Sequence, residues 1–489
     1  MSVRKHTAYN LLGALLPIAL SLLTIPIYIR TVGDARYGVL AVVWAFLGYF
    51  GLFDLGLGTA TAQRVAALRN ATPQAVATTF WTALAMNGAL GAVGGLMIWP
   101  ISTYFFGQVI SMGADLRSEL ASALPWLMLA VPLMTLTGVL GGALQGRAQF
   151  LELNLISVAS TFLFQTFPLF IAFAHGPDLA WLLPSVILTR LLSFSVLFWR
   201  CKLHVFQNHA PSFSCDQAKS LLRFGGWVTI TALVGPLMVV LDRFVIGATL
   251  DAKAVTYYTV PFSLAERSNV LPAALTTALF PRLAMASGAD GRELATRAIR
   301  TLAAVMTPVM LIALLLVAPF FRLWINPEFA AKANVTAQIL LLGHWINGLA
   351  FVPYAQLQAT GRPDVTAKFH IAELIPYLML LYVGLHFWGL PGAAAAFSLR
   401  TCGDCVLLMF AAGALPRAIE ILKAPVALLL AAIAVALGSE TGCSMWWLAS
   451  SGLLLTTLGW SWRNVPLDVR ELGILTVKKL LLEMRGVFR

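Results

Sequence analysis

Residues 10–29 of the chain are NLLGALLPIALSLLTIPIYI. The run carries no charged side chain, and its length matches the ~20 mostly apolar residues that a helix needs to cross the hydrocarbon core of a bilayer. It is too long for the core of a signal peptide, and no small-residue cleavage site follows it. We therefore expect it to be the first transmembrane helix.

The rest of the chain repeats this pattern. Hydrophobic residues make up 59% of the 489 residues and charged residues only 11%, against roughly 25% charged in a soluble domain. We predict an all-α polytopic membrane protein with about 14 transmembrane helices. The predicted spans are 10–31, 37–60, 78–104, 120–145, 151–174, 179–200, 221–249, 255–281, 298–321, 335–358, 367–388, 391–415, 422–439 and 445–462.

The basic residues predict the orientation. If the N-terminus is cytoplasmic, the inner segments hold 23 of the 33 Lys and Arg residues, the outer loops hold 6, and 4 lie within spans. Because positive charge concentrates on the cytoplasmic side, we expect both termini in the cytoplasm. The net charge of +12 then reflects orientation and attraction to lipid headgroups, and no nucleic-acid partner is expected.

The chain is predicted to consist of two similar parts and an extension. The polar connection 201–219 separates an N-terminal six-helix bundle (1–200) from a second one (220–416). The sequences Gly33–Arg36 (GDAR) and Leu250–Lys253 (LDAK) occupy the same place in each part, which favours an internal duplication. Two parallel bundles would enclose a central cavity. Residues 417–489 would add two transmembrane helices and a cytoplasmic amphipathic tail.

Four segments carry a resemblance to a known family. They are Leu23–Arg30 (LTIPIYIR), Gly33–Gly38 (GDARYG), Gly51–Gly58 (GLFDLGLG) and, at the start of the second part, Leu241–Gly247 (LDRFVIG). Together they resemble the polysaccharide flippases of O-antigen and exopolysaccharide synthesis. These form one branch of the multidrug/oligosaccharidyl-lipid/polysaccharide exporter superfamily, and the helix number and two extra C-terminal helices are similar as well.

The resemblance implies a transporter and not an enzyme. The expected substrate is a polyprenyl-diphosphate-linked oligosaccharide, moved from the inner to the outer leaflet of the bacterial plasma membrane for surface polysaccharide biosynthesis. Expected partners are membrane lipids, a proton or sodium ion, and the polysaccharide polymerase and export proteins.

Arginine is the side chain best suited to a diphosphate, because its planar fork donates paired, charge-assisted hydrogen bonds and stays protonated. A charge at membrane depth is costly and marks a functional site by default. The best single candidate is Arg190, which has no acidic neighbour on its own helix. The substrate-binding candidates are Arg190, Arg243, Arg267, Arg400, Arg30 and Arg64.

Transport needs a source of energy, and the sequence contains no ATP-binding loop. An ion gradient is therefore the working hypothesis. The carboxylates that could carry an ion, or form internal pairs, are Asp54, Asp242, Glu266, Glu373 and Asp404. Arg400 and Asp404 are four residues apart on one helix, which favours an internal pair. No cofactor or metal is expected, since Cys402 and Cys405 lie within a span where small residues serve helix packing.

Two other functions remain open. A cation-coupled exporter of drugs or small metabolites, from the same superfamily, would favour acidic over basic groups in its cavity. A membrane glycan polymerase or ligase would carry large outer loops with catalytic groups, whereas the predicted outer loops here are short.

Overall fold

The computed structural model of the protein describes residues 19–49, 54, 56–68, 71–207, 209–221, 241–286, 288–438 and 443–466. Within these ranges the backbone is almost entirely helical and contains no β-strand. The beginning of the predicted first span, most of the predicted span 221–249 and the predicted amphipathic tail lie outside the described residues.

The helices are numbered here in chain order. The first seven are α1 (Ala19–Val32), α2 (Asp34–Tyr49), α3 (Leu57–Ala67), α4 (Pro73–Tyr104), α5 (Ala114–Gly146), α6 (Phe150–His175) and α7 (Leu179–Cys201). The others are α8 (241–249), α9 (Ala252–Glu266), α10 (Val270–Met285), α11 (Gly288–Trp324), α12 (Pro327–Ala359), α13 (Pro363–Ala411), α14 (Leu415–Gly438) and α15 (Ser444–Asn464). Short turns of π-helix (Phe105–Val109 and Lys202–Phe206) extend α4 and α7, a 3₁₀ turn (Arg267–Asn269) joins α9 to α10, and a further helical turn covers 215–221.

Local sequence explains where several helices begin. Pro73 and Pro327 open α4 and α12, where a missing backbone N–H costs nothing. The residue before each proline caps the helix: the Asn326 side chain accepts a hydrogen bond of 2.7 Å from the Phe329 backbone N–H. After α6, Gly176 adopts a φ of 108°, which few other residues tolerate.

Helix α13 is broken at Gly389, where φ is 60° and ψ is −138°. Its two arms fold back on each other. The Gly384 and Gly392 backbones are in direct contact, since a Cβ on Gly384 would lie 2.5 Å from the Gly392 carbonyl oxygen. The break separates the predicted spans 367–388 and 391–415.

The predicted number of transmembrane helices is confirmed. Within the described residues each predicted span coincides with a helix, with one arm of α13, or with a consecutive pair such as α2–α3 and α9–α10. Eight of the described helices are individually long and apolar enough to cross a membrane. Large apolar side chains such as Leu155, Phe170 and Phe173 are exposed on their surfaces, as expected for residues that face lipid.

The backbone contacts divide the chain into two compact units, Met1–Thr259 and Val260–Arg489. In the first unit, small residues let helices α3, α4 and α5 approach closely. Gly142 of α5 lies directly against the Gly58 backbone of α3, and Gly91 of α4 against Pro132 of α5. These contacts between glycines and neighbouring backbones are typical of helix packing in membranes. In the second unit, α11 and α12 bury most of their central residues.

Candidate functional site

The segment Gly33–Gly38, at the beginning of α2, packs against α9 through hydrogen bonds and close backbone contact. Gly33 has a φ of 83° in the turn between α1 and α2. The Asp34 carboxylate accepts a hydrogen bond of 2.5 Å from the Tyr257 hydroxyl, and its carbonyl accepts one of 2.6 Å from Thr256 Oγ1. A Cβ on Gly38 would collide with the Ala252 carbonyl. This part of the family pattern therefore positions helices.

Arg36, in the same segment, ties the first turn of α2 to two other helices. Its guanidinium donates two hydrogen bonds to Glu119, of 2.9 and 2.6 Å, and lies 3.5 Å from Asp178. The Glu119 carboxylate raises the pKa of Arg36. The paired geometry makes this a bracing contact.

Asp54 belongs to the segment Gly51–Gly58 and braces α3. Its carboxylate accepts a hydrogen bond from the Gly58 backbone N–H at 2.9 Å and another from Asn87 Nδ2 at 2.7 Å. A Cβ on Gly138 of α5 would lie 2.9 Å from Asp54 Oδ2. The carboxylate is thus enclosed by three helices, with donors directed at it.

Arg190 occupies a different environment. Its guanidinium carbon lies 4.3 Å from the centre of the Phe164 ring, so α6 supplies an aromatic face for the charge. Among the described residues, Arg190 forms no ion pair and its buried Nε has no hydrogen-bond partner. A buried donor without a partner carries a free-energy penalty, which a bound acceptor would remove.

Aromatic rings extend from Phe164 toward α1 and α2. The Trp44 ring lies 5.8 Å from Phe164 and packs edge-on against Tyr28 at 5.3 Å. Tyr28 is held in place by its hydroxyl, which donates to the Gln165 carbonyl at 2.8 Å. The Trp44 indole Nε1 is buried and, within the described parts of the chain, finds no acceptor.

We call Arg190, Phe164, Trp44 and Tyr28 the arginine–aromatic site. It offers a planar cation and an indole N–H, two donors that suit phosphate oxygens. Its ring faces suit the apolar face of a sugar. No sequence pattern links these residues, because they come from four helices.

A second group of ionisable side chains lies within the second unit, between α13's two arms. His370 Nε2 is 3.6 Å from Asp404 Oδ1, and Arg400 Nη1 is 3.9 Å from Glu373 Oε2. Neither Glu373 oxygen accepts a hydrogen bond from any donor that the structure describes.

We call His370, Glu373, Arg400 and Asp404 the carboxylate cluster. Two carboxylates face one guanidinium and one imidazole, so the cluster carries one uncompensated negative charge when the imidazole is neutral. The guanidinium also lies over the Tyr377 ring, at 5.3 Å. The sequence pattern predicted a pair of Arg400 with Asp404 along one helix; the structure pairs Arg400 with Glu373 and Asp404 with His370, across the two arms.

The remaining predicted residues are dispersed. Asp242 is buried and accepts a hydrogen bond of 2.9 Å from the Tyr258 hydroxyl, while the neighbouring Arg243 is also buried. Arg64 donates to Gln217 at 3.3 Å. Arg30 and Glu266 are exposed and Arg267 is half-buried at the start of the 3₁₀ turn.

Sequence reasoning did not select His370 or Phe164 as members of a site. His370 and Glu373 are three residues apart on one helix, a spacing that places them on a common face and could have indicated the pair. For Phe164 no such signal exists, since its contact with Arg190 depends on how α6 packs on α7.

Comparison with known families decides the class of this protein. The family described as "Polysaccharide biosynthesis protein" matches residues 3–287, more than half of the chain. The chain belongs to that family. Residues 228–383 additionally match the family described as MatE. The predicted resemblance to the polysaccharide branch of the exporter superfamily is confirmed.

Individual relatives agree with the family. A Shigella flexneri protein described as "Putative O-antigen transporter" is 27% identical over 415 residues, which cover 84% of this chain and 97% of the relative.

Two solved structures share the fold at low identity. One is an inward-facing multidrug resistance MATE family transporter of the MOP superfamily, with a TM-score of 0.66 and 15% identity over 84% of this chain and 99% of its own. The other is the lipid II flippase MurJ in an inward closed conformation, with a TM-score of 0.68 and 13% identity over 93% and 97%.

Members of this family are membrane transporters, so the expectation of a transporter and not an enzyme is confirmed. The protein is a multi-pass membrane protein with the all-α fold of the MATE and MurJ transporters.

Proposed function

We propose that this protein is a flippase for a polyprenyl-diphosphate-linked oligosaccharide. It moves the lipid-linked repeat unit from the inner to the outer leaflet of the bacterial plasma membrane, with both of its own termini in the cytoplasm. The polymerase and the export proteins that use the repeat unit are the proposed protein partners.

The observation that carries this proposal is the arginine–aromatic site. A half-buried guanidinium that lies against Phe164 and forms no ion pair with any described carboxylate favours an anionic ligand. An exporter of cationic drugs would gain nothing from a positive charge there, because like charges repel. Arg190 would bind the diphosphate together with the Trp44 indole N–H, and the Trp44 ring would contact the first sugar. Arg30, Arg64, Arg243, Arg267 and Arg400 are proposed to contact the substrate at other stages of transport.

The comparisons support the same substrate class. The Shigella relative is named as a putative O-antigen transporter and MurJ as a lipid II flippase.

We further propose that the carboxylate cluster couples transport to an ion gradient. Its uncompensated negative charge suits one proton or one sodium ion, and Glu373 and Asp404 are the carriers. The hydrogen-bonded environments of Asp54 and Asp242 favour structural roles for these two carboxylates.

Substitution of Arg190 tests the proposed function. In cells that depend on this protein, Arg190→Ala should leave the amount of protein in the membrane unchanged, abolish surface polysaccharide and accumulate lipid-linked repeat units. Arg190→Lys keeps the charge but not the paired donors, and should retain only part of the activity. The exposed Arg417, which pairs with Glu293 at 3.3 Å, provides the control Arg417→Ala.

Normal surface polysaccharide in the Arg190→Ala strain would remove Arg190 from the site. Deletion of the whole gene without any accumulation of lipid-linked sugar would reject the flippase function itself.

A further inference from the structure

An apolar groove of about 520 Å³ opens on the lipid-facing surface of the first unit. Helices α5, α6 and α7 form it, and Leu133, Phe167, Ile171 and Leu188 are among the side chains that line it. Its volume is within the range of about 300–1,000 Å³ that is typical of small-molecule sites.

The groove has two distinct ends. At one end His175 and Trp181, stacked at 5.6 Å, stand where α6 ends and α7 begins. Aromatic side chains in such positions mark the headgroup level of a bilayer. At the other end lies Leu191, next to Arg190 in sequence, and the lining residue Phe167 is one helical turn from Phe164.

The groove therefore connects the headgroup level with the depth of the arginine–aromatic site. An apolar crevice in the hydrocarbon region holds no stable water, since water there would lack hydrogen-bond partners. A hydrocarbon chain has to fill it. A chain whose diphosphate is bound at Arg190 would begin next to Leu191 and Phe167, the lining residues that adjoin Arg190 and Phe164 along their helices.

We propose that this groove binds the isoprenoid tail of the lipid-linked substrate while the diphosphate occupies the arginine–aromatic site. This inference rests on the proposed function and adds a place for the tail. Because the groove lies along the beginning of α7, the end predicted to face outside, the bound tail would belong to the outer-leaflet stage of transport.

Photocrosslinking identifies the occupant. The full-length protein is reconstituted in nanodiscs of phosphatidylethanolamine and phosphatidylglycerol with either a diazirine-bearing polyprenyl phosphate or a phosphatidylethanolamine bearing the same group on its acyl chain. We expect the polyprenyl probe to label the lining segments of α5, α6 and α7. Excess unlabelled polyprenyl phosphate should suppress that labelling, and excess phosphatidylethanolamine should not. Equal labelling by the phospholipid probe, without displacement by polyprenyl phosphate, would mean that an ordinary membrane lipid fills the groove and would overturn the proposal.

A matched pair of substitutions tests the groove itself. Leu188 lines it and Leu192, one turn further along α7, does not, although 44% and 47% of their surfaces are exposed. Leu188→Trp should fill the groove and reduce polyprenyl labelling about tenfold, which corresponds to roughly two fewer buried CH₂ groups. Leu192→Trp should label like the wild type.

The two proposals fail in different ways. If Leu188→Trp and Leu192→Trp both bind the polyprenyl probe and support surface polysaccharide like the wild type, while Arg190→Ala does not support it, only the tail site is wrong. If cells lacking the protein accumulate no lipid-linked sugar, the proposed function is wrong whatever the groove binds.

Discussion

At the scale of single residues, Arg190 and Trp44 share a property that bears on ligand binding. Each has a buried N–H group without an acceptor in the described parts of the chain. A ligand that supplies acceptors to both would gain affinity from hydrogen bonds to charged and polar donors, and phosphate oxygens do this in any orientation.

Trp44→Phe separates the hydrogen bond from the aromatic surface, because phenylalanine keeps a ring and loses the indole N–H. We expect a loss of affinity of about tenfold or more for a polyprenyl-diphosphate sugar, given the ~1.5–3 kcal/mol of a hydrogen bond to a charged group. Binding to purified protein measures it. Trp199→Phe, at an exposed tryptophan of α7, is the control. Unchanged affinity in Trp44→Phe would exclude the indole from the site.

Neutralising the carboxylate cluster should uncouple transport from the ion gradient. Glu373→Gln and Asp404→Asn remove the negative charge that would hold the ion, so we expect gradient-stimulated flipping to fall to the unstimulated rate. Equilibrium binding of the substrate at Arg190 should persist. Glu420→Gln, at an exposed residue paired with Lys423, is the control. Full stimulation in both cluster variants would place ion coupling elsewhere.

At this scale the sequence predicts some residues of the candidate sites but not their partners on other helices. Arg190 could be selected because its own helix offers no carboxylate. Phe164 could not, since it is brought to Arg190 by the contact between α6 and α7. Likewise, the spacing of Arg400 and Asp404 predicted a pair on one arm of α13, whereas the ion pairs in the structure join each of them to the opposite arm, which only the fold of the hairpin brings close.

At the scale of helices, Gly389 makes the hairpin of α13 possible. Its φ of 60° and ψ of −138° fit the first central position of a tight turn that glycine strongly favours. Gly389→Ala should lower the free energy of unfolding by about 1–3 kcal/mol. Gly403→Ala, inside the second arm with open space at its Cβ, should stabilise the helix slightly. Thermal unfolding in detergent compares the two; equal midpoints would contradict the strained-turn account.

The contact between α3 and α5 provides a second pair of glycine substitutions whose stabilities can be compared. A Cβ on Gly142 would strike the Gly58 carbonyl, whereas one on Gly141 would meet only Leu153 Cδ1 at an ordinary 3.7 Å. We expect Gly142→Ala to cost about 1–3 kcal/mol through overpacking and Gly141→Ala to be neutral or stabilising. The same unfolding assay decides, and a tolerated Gly142→Ala would show that the helices can separate without penalty.

The positions of the helices were predictable from the sequence, because the length of an apolar run and the effects of proline and glycine on the backbone are local. The interruption between 388 and 391 follows from the Gly389 and Pro391 sequence, and the structure breaks α13 there. The binding residues could not be predicted from the segments that resemble the family. GDARYG and FDLGLG contain residues that hold helices together, such as Asp34, Asp54 and Gly58.

At the scale of the whole molecule, the chain carries two chemically different groups of residues, one in each compact unit. The arginine–aromatic site is cationic and suits an anion; the carboxylate cluster is anionic and suits a cation. The proposed flippase, coupled to an ion gradient, would use both. The fold is shared with MATE and MurJ transporters.

The most direct test is leaflet exchange of a polyprenyl-diphosphate oligosaccharide in proteoliposomes, followed by accessibility to a membrane-impermeant lectin. We predict that wild-type protein moves the sugar across when an ion gradient is imposed, and that Arg190→Ala, incorporated to the same level and equally stable, does not. Equal rates for wild type and Arg190→Ala would contradict the central claim that the Arg190 guanidinium binds the diphosphate.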